Sequence, residues 1–309
     1  LAFVYDYFEK FGYSPRMKKA SFRGGDFSSL KNNEFWINNP NYNEIHFSPF
    51  QLNNKTVGKY VNKLNEIKPK YFHGYPSIFM SLAKHMISQE LKLNYKLDTI
   101  FIISEGFKKE EISFLKDFFD CNVSSFYGHS ERLIFAVGDK ELESYTPNPL
   151  YGYFELVDEK GQVINKNNIT GEIVGTSFDN LAMPLIRYRT GDYTHYVDHT
   201  KKIFAPITGK WGQMSLIGIN DEEISITALN LHSNELDEIL KIQFVQIEKG
   251  KVLAYIMFMD NKKNNNLEFI ENLLNGRVGN TIKFTIKVTD SFKLNTRGKS
   301  PLIINESIK

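Results

Sequence analysis

The stretch of residues 171 to 192, GEIVGTSFDNLAMPLIRYRTGD, closes on Thr190-Gly191-Asp192, and that close holds groups able to do chemistry. Gly191 lets the backbone turn sharply, and a short carboxylate aimed just past a strand end accepts two hydrogen bonds from a vicinal diol. That is how an acidic residue holds a ribose. A Gly-Asp pair can equally cap a turn and do nothing more. A second group, Tyr127-Gly128-His129-Ser130-Glu131-Arg132, puts an aromatic face, an imidazole, a hydroxyl and a carboxylate side by side. It approaches the G-x-S-x-G turn of a serine hydrolase, with Ser130 as nucleophile, but Arg132 fills the place of the second small residue that the tight turn needs.

Other candidates have simpler explanations. Arg297-Gly298-Lys299-Ser300 has the tail of a P-loop, yet Lys293 stands at the position of its first glycine. His195 and His199 have a helical metal-ligand spacing but lie in strand-like sequence without the intervening Glu of a zinc protease. Ser77 is expected to cap a helix, and Gly24-Gly25 offers only a weak phosphate cradle.

The elements that must position these groups follow from periodicity and punctuation. Helices are expected near the start of the chain and over 57–67, 78–90 and 109–119. Strands are expected over 99–103, 122–126, 153–157, 173–176 and 185–188, and the Asn-rich sequence through Asn43 shows neither period. Strand, helix, strand from Leu97 onward argues for a sheet covered by helices, with ligands collecting beyond the strand ends that carry Ser104-Glu105 and Tyr127 to Glu131. The glycines and Trp of residues 207–212 mark a boundary between two domains, 1–208 and 209–309. The second has strands near 224–226, 244–247, 252–259 and 281–288, with helices over 231–240 and 267–275.

At 309 residues there is room for two domains, and a composition of 41% hydrophobic and 24% charged residues is that of a globular protein. A formal net charge of +2 argues against nucleic acid as a partner. The single cysteine, Cys121, allows no internal disulfide. No apolar run has membrane-spanning length and no secretory signal opens the chain, so a cytoplasmic location without a membrane partner is expected. The first segment, LAFVYDYFEKFGY, reads as the middle of a helix, so further sequence is expected upstream.

In order along the chain, Gly74-Tyr75-Pro76-Ser77, Ser104-Glu105, the segment from Tyr127 to Glu131, Pro184-Leu185-Ile186-Arg187-Tyr188-Arg189-Thr190-Gly191-Asp192, Gly209-Lys210 and Arg297-Gly298-Lys299 resemble the adenylate-forming enzymes. The resemblance spans most of the chain and is to the branch of phenylacetate-coenzyme A ligase and the CapK-type proteins of capsular polysaccharide biosynthesis. It implies an α/β protein: an incomplete large adenylation domain of mixed sheets and helices, then a small, mobile α+β domain. The implied reaction is ATP-dependent conversion of a small-molecule carboxylate to an acyl adenylate, followed by transfer to coenzyme A or another acceptor. The alternative is a non-catalytic nucleotide-binding or scaffolding relative.

The resemblance also implies roles. Tyr127 is the platform under adenine, Ser104 and Glu105 form its wall, and Gly128, His129 and Ser130 line the nucleotide, with Ser130 near the α-phosphate. Glu131 holds Mg2+, Asp192 holds the ribose, and Lys299 is the catalytic cation that meets the developing charge. Lys210 occupies a hinge position where the family usually has Arg, and Gly212-Gln213 replaces an acidic pair. The Ser/Thr/Gly-rich loop that grips the β- and γ-phosphates has no counterpart in residues 1 to 130, because Ser28-Ser29 lacks neighbouring glycines. A homodimer, or another chain supplying that segment, is the expected remedy.

Overall fold

Runs such as Tyr71–Gly74 and Thr99–Ile102 are buried at every position, so they need cover on both faces, as strands of a parallel sheet do. The computed structural model describes residues 2–30, 34–207, 215–229, 231, 236, 239–258, 267–289, 291–293 and 301–306. Its first half contains α1 (Ala2–Glu9), β1 (Lys19–Phe22), β2 (Trp36–Asn39), β3 (Glu44–Phe47), α2 (Val57–Ile67), β4 (Tyr71–Gly74), α3 (Pro76–Ser88), β5 (Thr99–Ile102), α4 (Lys109–Phe119) and β6 (Asn122–Gly128). Strands β3, β1, β4, β5 and β6 are parallel neighbours in that order, and β2 closes the edge antiparallel to β3.

Alternate residues face opposite layers. Ala20, Phe22, Phe47, Phe72, Ile100 and Val123 meet the apolar stripes of α2, α3 and α4. On the other face Tyr71 and Phe101 meet Tyr7 and Phe8 of α1, with the Phe8 and Phe101 rings stacked at 4.1 Å. That face is also polar, since it carries Lys19, Ser21, Glu44 and His73, all buried.

Beyond β6 the sheet turns antiparallel. Strands β7 (Phe135–Gly138), β8 (Tyr145–Pro147), β9 (Gly152–Val157), β10 (Thr170–Ser177), β11 (Tyr188–Asp198) and β12 (Ile203–Phe204) extend it in the order β6-β7-β8-β12-β11-β10-β9. Their core gathers around Leu133, Phe154, Tyr196 and Phe204. The C-terminal part has the hairpin β13 (Ser215–Ile217) and β14 (Glu223–Ser225), a 3-10 turn over Ile226–Leu229, and a sheet ordered β17-β16-β15-β18. The latter is built from β15 (Ile239–Glu248), β16 (Lys251–Phe258), β17 (Lys283–Val288) and β18 (Ile303–Asn305), with helix α5 (Leu267–Val278) between β16 and β17 in the chain. It packs on the parallel half: the Asn53 amide donates to Glu222 Oε1 at 2.7 Å, the Thr281 hydroxyl donates to the Phe50 carbonyl at 2.8 Å, and one hydrophobic cluster runs through both parts.

The α/β class is as expected, and α2 and α4 have the expected limits. Several details differ. Strands β1 to β4 lie where no strand was expected, because four-residue strands are too short to show a period, and β1 and β4 are moreover buried at every position. Ser77 does not cap α3: Tyr75 is the N-cap residue and Pro76 opens the helix, which suits a residue with no N–H to satisfy. Of the helix expected over 231–240, most lies outside the described residues, and Ile239 and Leu240 already belong to β15.

Candidate nucleotide site

Strand β11 begins at Tyr188 and runs to Asp198, so the strand expected over 185–188 is displaced and Asp192 lies within a strand, not past its end. What aims it is a bulge. Arg189 pairs with Val174 and Tyr193 with Glu172, so Thr190, Gly191 and Asp192 together face the single residue Ile173. Extra residues in one strand kink it and redirect a side chain. Gly191 adopts φ +75°, which a side chain would resist. Glu172, buried beneath, accepts the Gly191 N–H at 2.9 Å and Arg189 Nε at 2.7 Å, while the Thr190 hydroxyl donates to the Ile173 carbonyl at 2.9 Å. Glu172, Arg189 and Thr190 are thus the supports of the site. Nothing in strand periodicity singles them out.

Across from the bulge, Tyr127 near the end of β6 donates its hydroxyl proton to Asp192 Oδ2 at 2.8 Å. His129 Nε2 lies 2.7 Å from the same hydroxyl oxygen. A phenol has one proton, already given to Asp192, so His129 must be the donor there and Nδ1 must be its lone-pair nitrogen. Burial holds the imidazole below its usual pKa against the opposing pull of Asp192 and Glu131, which fits this neutral tautomer. Nδ1 is itself buried with no partner among the described residues. Burial first, and then the Asp192 charge, push the Tyr127 phenol far above its usual pKa, so it stays a donor. Phe204 lies edge-on to the Tyr127 ring at 6.0 Å and backs it from the antiparallel core. The arrangement presents two acceptors, His129 Nδ1 and the carboxylate of Asp192, beside an aromatic ring. A ligand bearing hydroxyl or amino donors and a flat apolar face complements it.

The other expected site residues divide. Gly128, Ser130 and Glu131 are exposed at and after the end of β6, and no hydrogen bond joins Ser130 to His129. That leaves Ser130 without the base a hydrolase needs. Ser104 is exposed in a left-handed conformation at φ +65° just after β5. Glu105 beside it turns to the C-terminal part: its Oε1 accepts the Ser225 hydroxyl and its Oε2 accepts the Ser77 N–H at 3.2 Å. Burial raises its carboxyl above the usual range despite these bonds. Gly24-Gly25 is no free cradle, since the Gly24 N–H donates to the Tyr75 hydroxyl at 3.1 Å and a Cβ there would sit 2.4 Å from the Ala228 carbonyl oxygen. The Ser28 N–H is likewise taken by Asp26. Lys210 and Lys299 lie outside the described residues.

Comparison with known proteins found no matching family model. Among curated proteins, the chain is 24% identical to protein CapK of Staphylococcus aureus over 97% of its own length and 68% of CapK's. It is 25% identical to phenylacetate-coenzyme A ligase of Pseudomonas putida over 69% of its length, which is 46% of that enzyme. Among solved structures, 2-hydroxyisobutyryl-CoA ligase in an open conformation, in complex with 2-HIB-AMP and CoA, matches 95% of this chain and 67% of its own at TM-score 0.50 and 16% identity. The same ligase in its thioesterification state matches at TM-score 0.53 and 15% identity, over 96% of this chain and 66% of its own. These structures share the fold, and the two curated sequences carry the relationship further: the chain is similar in sequence to CapK and to phenylacetate-coenzyme A ligase, as the motifs of the adenylate-forming enzymes led us to expect.

Proposed function

We propose that this chain binds the adenosine part of ATP and serves AMP-forming activation of a small-molecule carboxylate. The observation that carries the reading is the orphaned, buried His129 Nδ1 beside Asp192 and the Tyr127 ring. Asp192 would accept from the ribose hydroxyls, Tyr127 and His129 would flank the base, and Ser104 and Gly128 would line the pocket, with the backbone of Glu105 completing its wall. Ser130, in the exposed turn after β6, would meet the α-phosphate. An oxygen of the substrate carboxylate would attack the α-phosphorus, the bond to the bridging oxygen would break, and pyrophosphate would leave with that electron pair. Lys299 would offset the charge that develops.

Among the described residues no three His, Cys, Asp or Glu side chains gather as metal ligands. Glu131 alone suits Mg2+, which retains waters and is often held by one or two carboxylates plus phosphate oxygens. The ion would supply charge neutralisation there. Transfer of the acyl group to coenzyme A, a hinge at Lys210 between domains 1–208 and 209–309, and a role in capsule biosynthesis belong to the same reading. They rest on the relatives. Among the described residues no helix is long and apolar enough to cross a membrane.

A second reading, a nucleotide-binding relative without catalysis, draws on the Ser28 and Gly24 N–H groups being already engaged, which takes two backbone donors of that loop away from phosphates. Calorimetry with AMP and ATP, paired with a pyrophosphate-release assay across a panel of carboxylates, separates the two. The chain of 309 residues should bind AMP and fail to release pyrophosphate by itself, because removing even one anion-stabilising donor costs about 3 to 4 kcal/mol of barrier. Addition of a chain covering the remaining third of CapK should restore turnover. No AMP binding by the chain would sink both readings.

A further inference from the structure

Strands β1, β4, β5 and β6 are parallel, so their C-terminal ends share one edge of the sheet. Arg23 follows β1, Tyr75 follows β4, Glu105 lies just after β5, and Tyr127 is near the end of β6. Tyr127 and Asp192 take one end of this row. At the other end is a polar cluster on the α1 face, for which the nucleotide reading has no use.

Lys19 and Glu44 pair at 3.0 Å, both nearly fully buried. The Ser21 hydroxyl donates to Glu44 at 2.6 Å, and Arg23 Nη2 lies 3.6 Å from the same carboxylate, too long for a hydrogen bond. His46 Nε2 donates to the Arg23 carbonyl at 2.9 Å and fixes the backbone from which that guanidinium springs. Two cations against one carboxylate leave one net positive charge. The polar atoms are also unevenly satisfied: Arg23 Nε and both ring nitrogens of His73 are buried without a partner among the described residues. His73 is 9% exposed, paired in register with Ser21, and edge-on to Phe8 at 5.5 Å. Burial, with Lys19 and Arg23 nearby, pushes its pKa down to about 3, so the ring is neutral and carries one unused donor and one unused acceptor. Each such orphan is costly to bury. An apolar pocket would replace these groups with hydrocarbon.

We propose that Arg23 and His73 bind the distal carboxyl group of an acid carrying two, so that the chain's substrate class is a small dicarboxylate. The assignment rests on the reading of the Tyr127 end as the nucleotide site, because only then does the row place one carboxyl at the α-phosphate and the other beside Arg23. The Arg23 side chain is 42% exposed, which lets an anion approach it from solvent. Its guanidinium would donate a forked pair of hydrogen bonds, and His73 would donate a third. Glu44 does not repel the newcomer unopposed, since Lys19 and Ser21 already engage it.

The test is a titration of the full chain, labelled with 15N-histidine, with succinate, butyrate and inorganic phosphate in turn. Succinate should move the His73 ring resonances and bind at least tenfold more tightly than butyrate, and Arg23→Gln should erase that tenfold preference. Because Arg23 is half exposed, this variant should fold, and a parallel His73→Phe variant should lower succinate affinity if its own unfolding curve is intact. Equal affinity for succinate and butyrate, or a preference that survives Arg23→Gln, overturns the proposal. Phosphate binding as tightly as succinate also overturns it, since the cluster would then be a general anion site. A separate adenosine titration keeps the two ideas apart: if adenosine fails to bind while succinate keeps its Arg23-dependent preference, the nucleotide reading falls and the carboxylate subsite stands.

Discussion

The parallel and antiparallel halves of the large sheet each contribute one half-buried carboxylate to the same edge, and the chain treats them oppositely. Glu105, from the parallel half, is closed off by Ser225 and the Ser77 amide, so it ties the C-terminal part to the sheet. Asp192, from the antiparallel half, accepts one hydrogen bond from Tyr127 and is otherwise redirected by a bulge. The difference teaches that a resemblance can assign two acidic residues to one pocket while packing gives one of them a holding role and leaves the other with fewer partners.

The strongest way to break this comparison is to remove an aromatic core residue from each half. Phe22, stacked at 4.9 Å on Phe47, and Phe204, at 4.8 Å from Phe154, are both fully buried. Each replacement by Ala should cost about 3 to 5 kcal/mol in urea unfolding. Only Phe204→Ala should also weaken AMP binding in calorimetry, because Phe204 backs Tyr127. Equal loss of AMP affinity in both would erase the distinction between the halves.

Acid should act on the parallel half first. The Lys19 ammonium and the Ser21 hydroxyl outweigh burial and bring the Glu44 carboxyl down from 4.5 to about 2, so its stabilisation is complete above 4.5 and is lost as pH falls toward 2. The buried, depressed His73 adds to this, since between 6.5 and about 3 the unfolded chain takes up a proton that the folded ring does not. Glu44→Gln leaves Lys19 buried and unpaired, so it should cost about 3 to 5 kcal/mol at neutral pH. It should also flatten the acid limb of a fluorescence-monitored unfolding curve below pH 4.5. An unchanged acid limb would place the acid lability elsewhere.

A smaller effect is expected at the open carboxylate. Asp192→Asn should weaken AMP binding by about 1.5 to 3 kcal/mol with little change in stability, since an amide oxygen is a poorer acceptor than a carboxylate. Smallest is the closed carboxylate: Ser225→Ala should lower stability by about 1 kcal/mol and leave AMP affinity alone. Burial raises the folded-state pKa of Glu105, so its contribution to stability is complete below the ordinary value of 4.5 and declines as pH rises through the shifted one, even though the bonds from Ser225 and Ser77 favour the charged form. Glu105→Gln should remove that decline. If Ser225→Ala instead changed AMP affinity more than Asp192→Asn did, the roles of the two carboxylates would have to be exchanged.

Helices α2 and α4, strand β5 and the antiparallel pair around residues 173–176 could be read from the chain because each holds its own period or caps. Glu111, for example, closes the start of α4 by accepting the Lys108 N–H at 2.8 Å. Tyr127, His129 and Asp192 were also visible as residue types at meaningful spacing. What local sequence could not supply was their relation. The bulge depends on Glu172, a residue of the neighbouring strand, and the tautomer of His129 depends on a proton shared between residues 65 apart in sequence. Glu105 is the sharpest case, because its partner Ser225 lies 120 residues away and nothing near either residue announces the other. Periodicity records which face a side chain must bury; which other chain segment arrives at that face is a matter of long-range packing, and there the roles of the two carboxylates part.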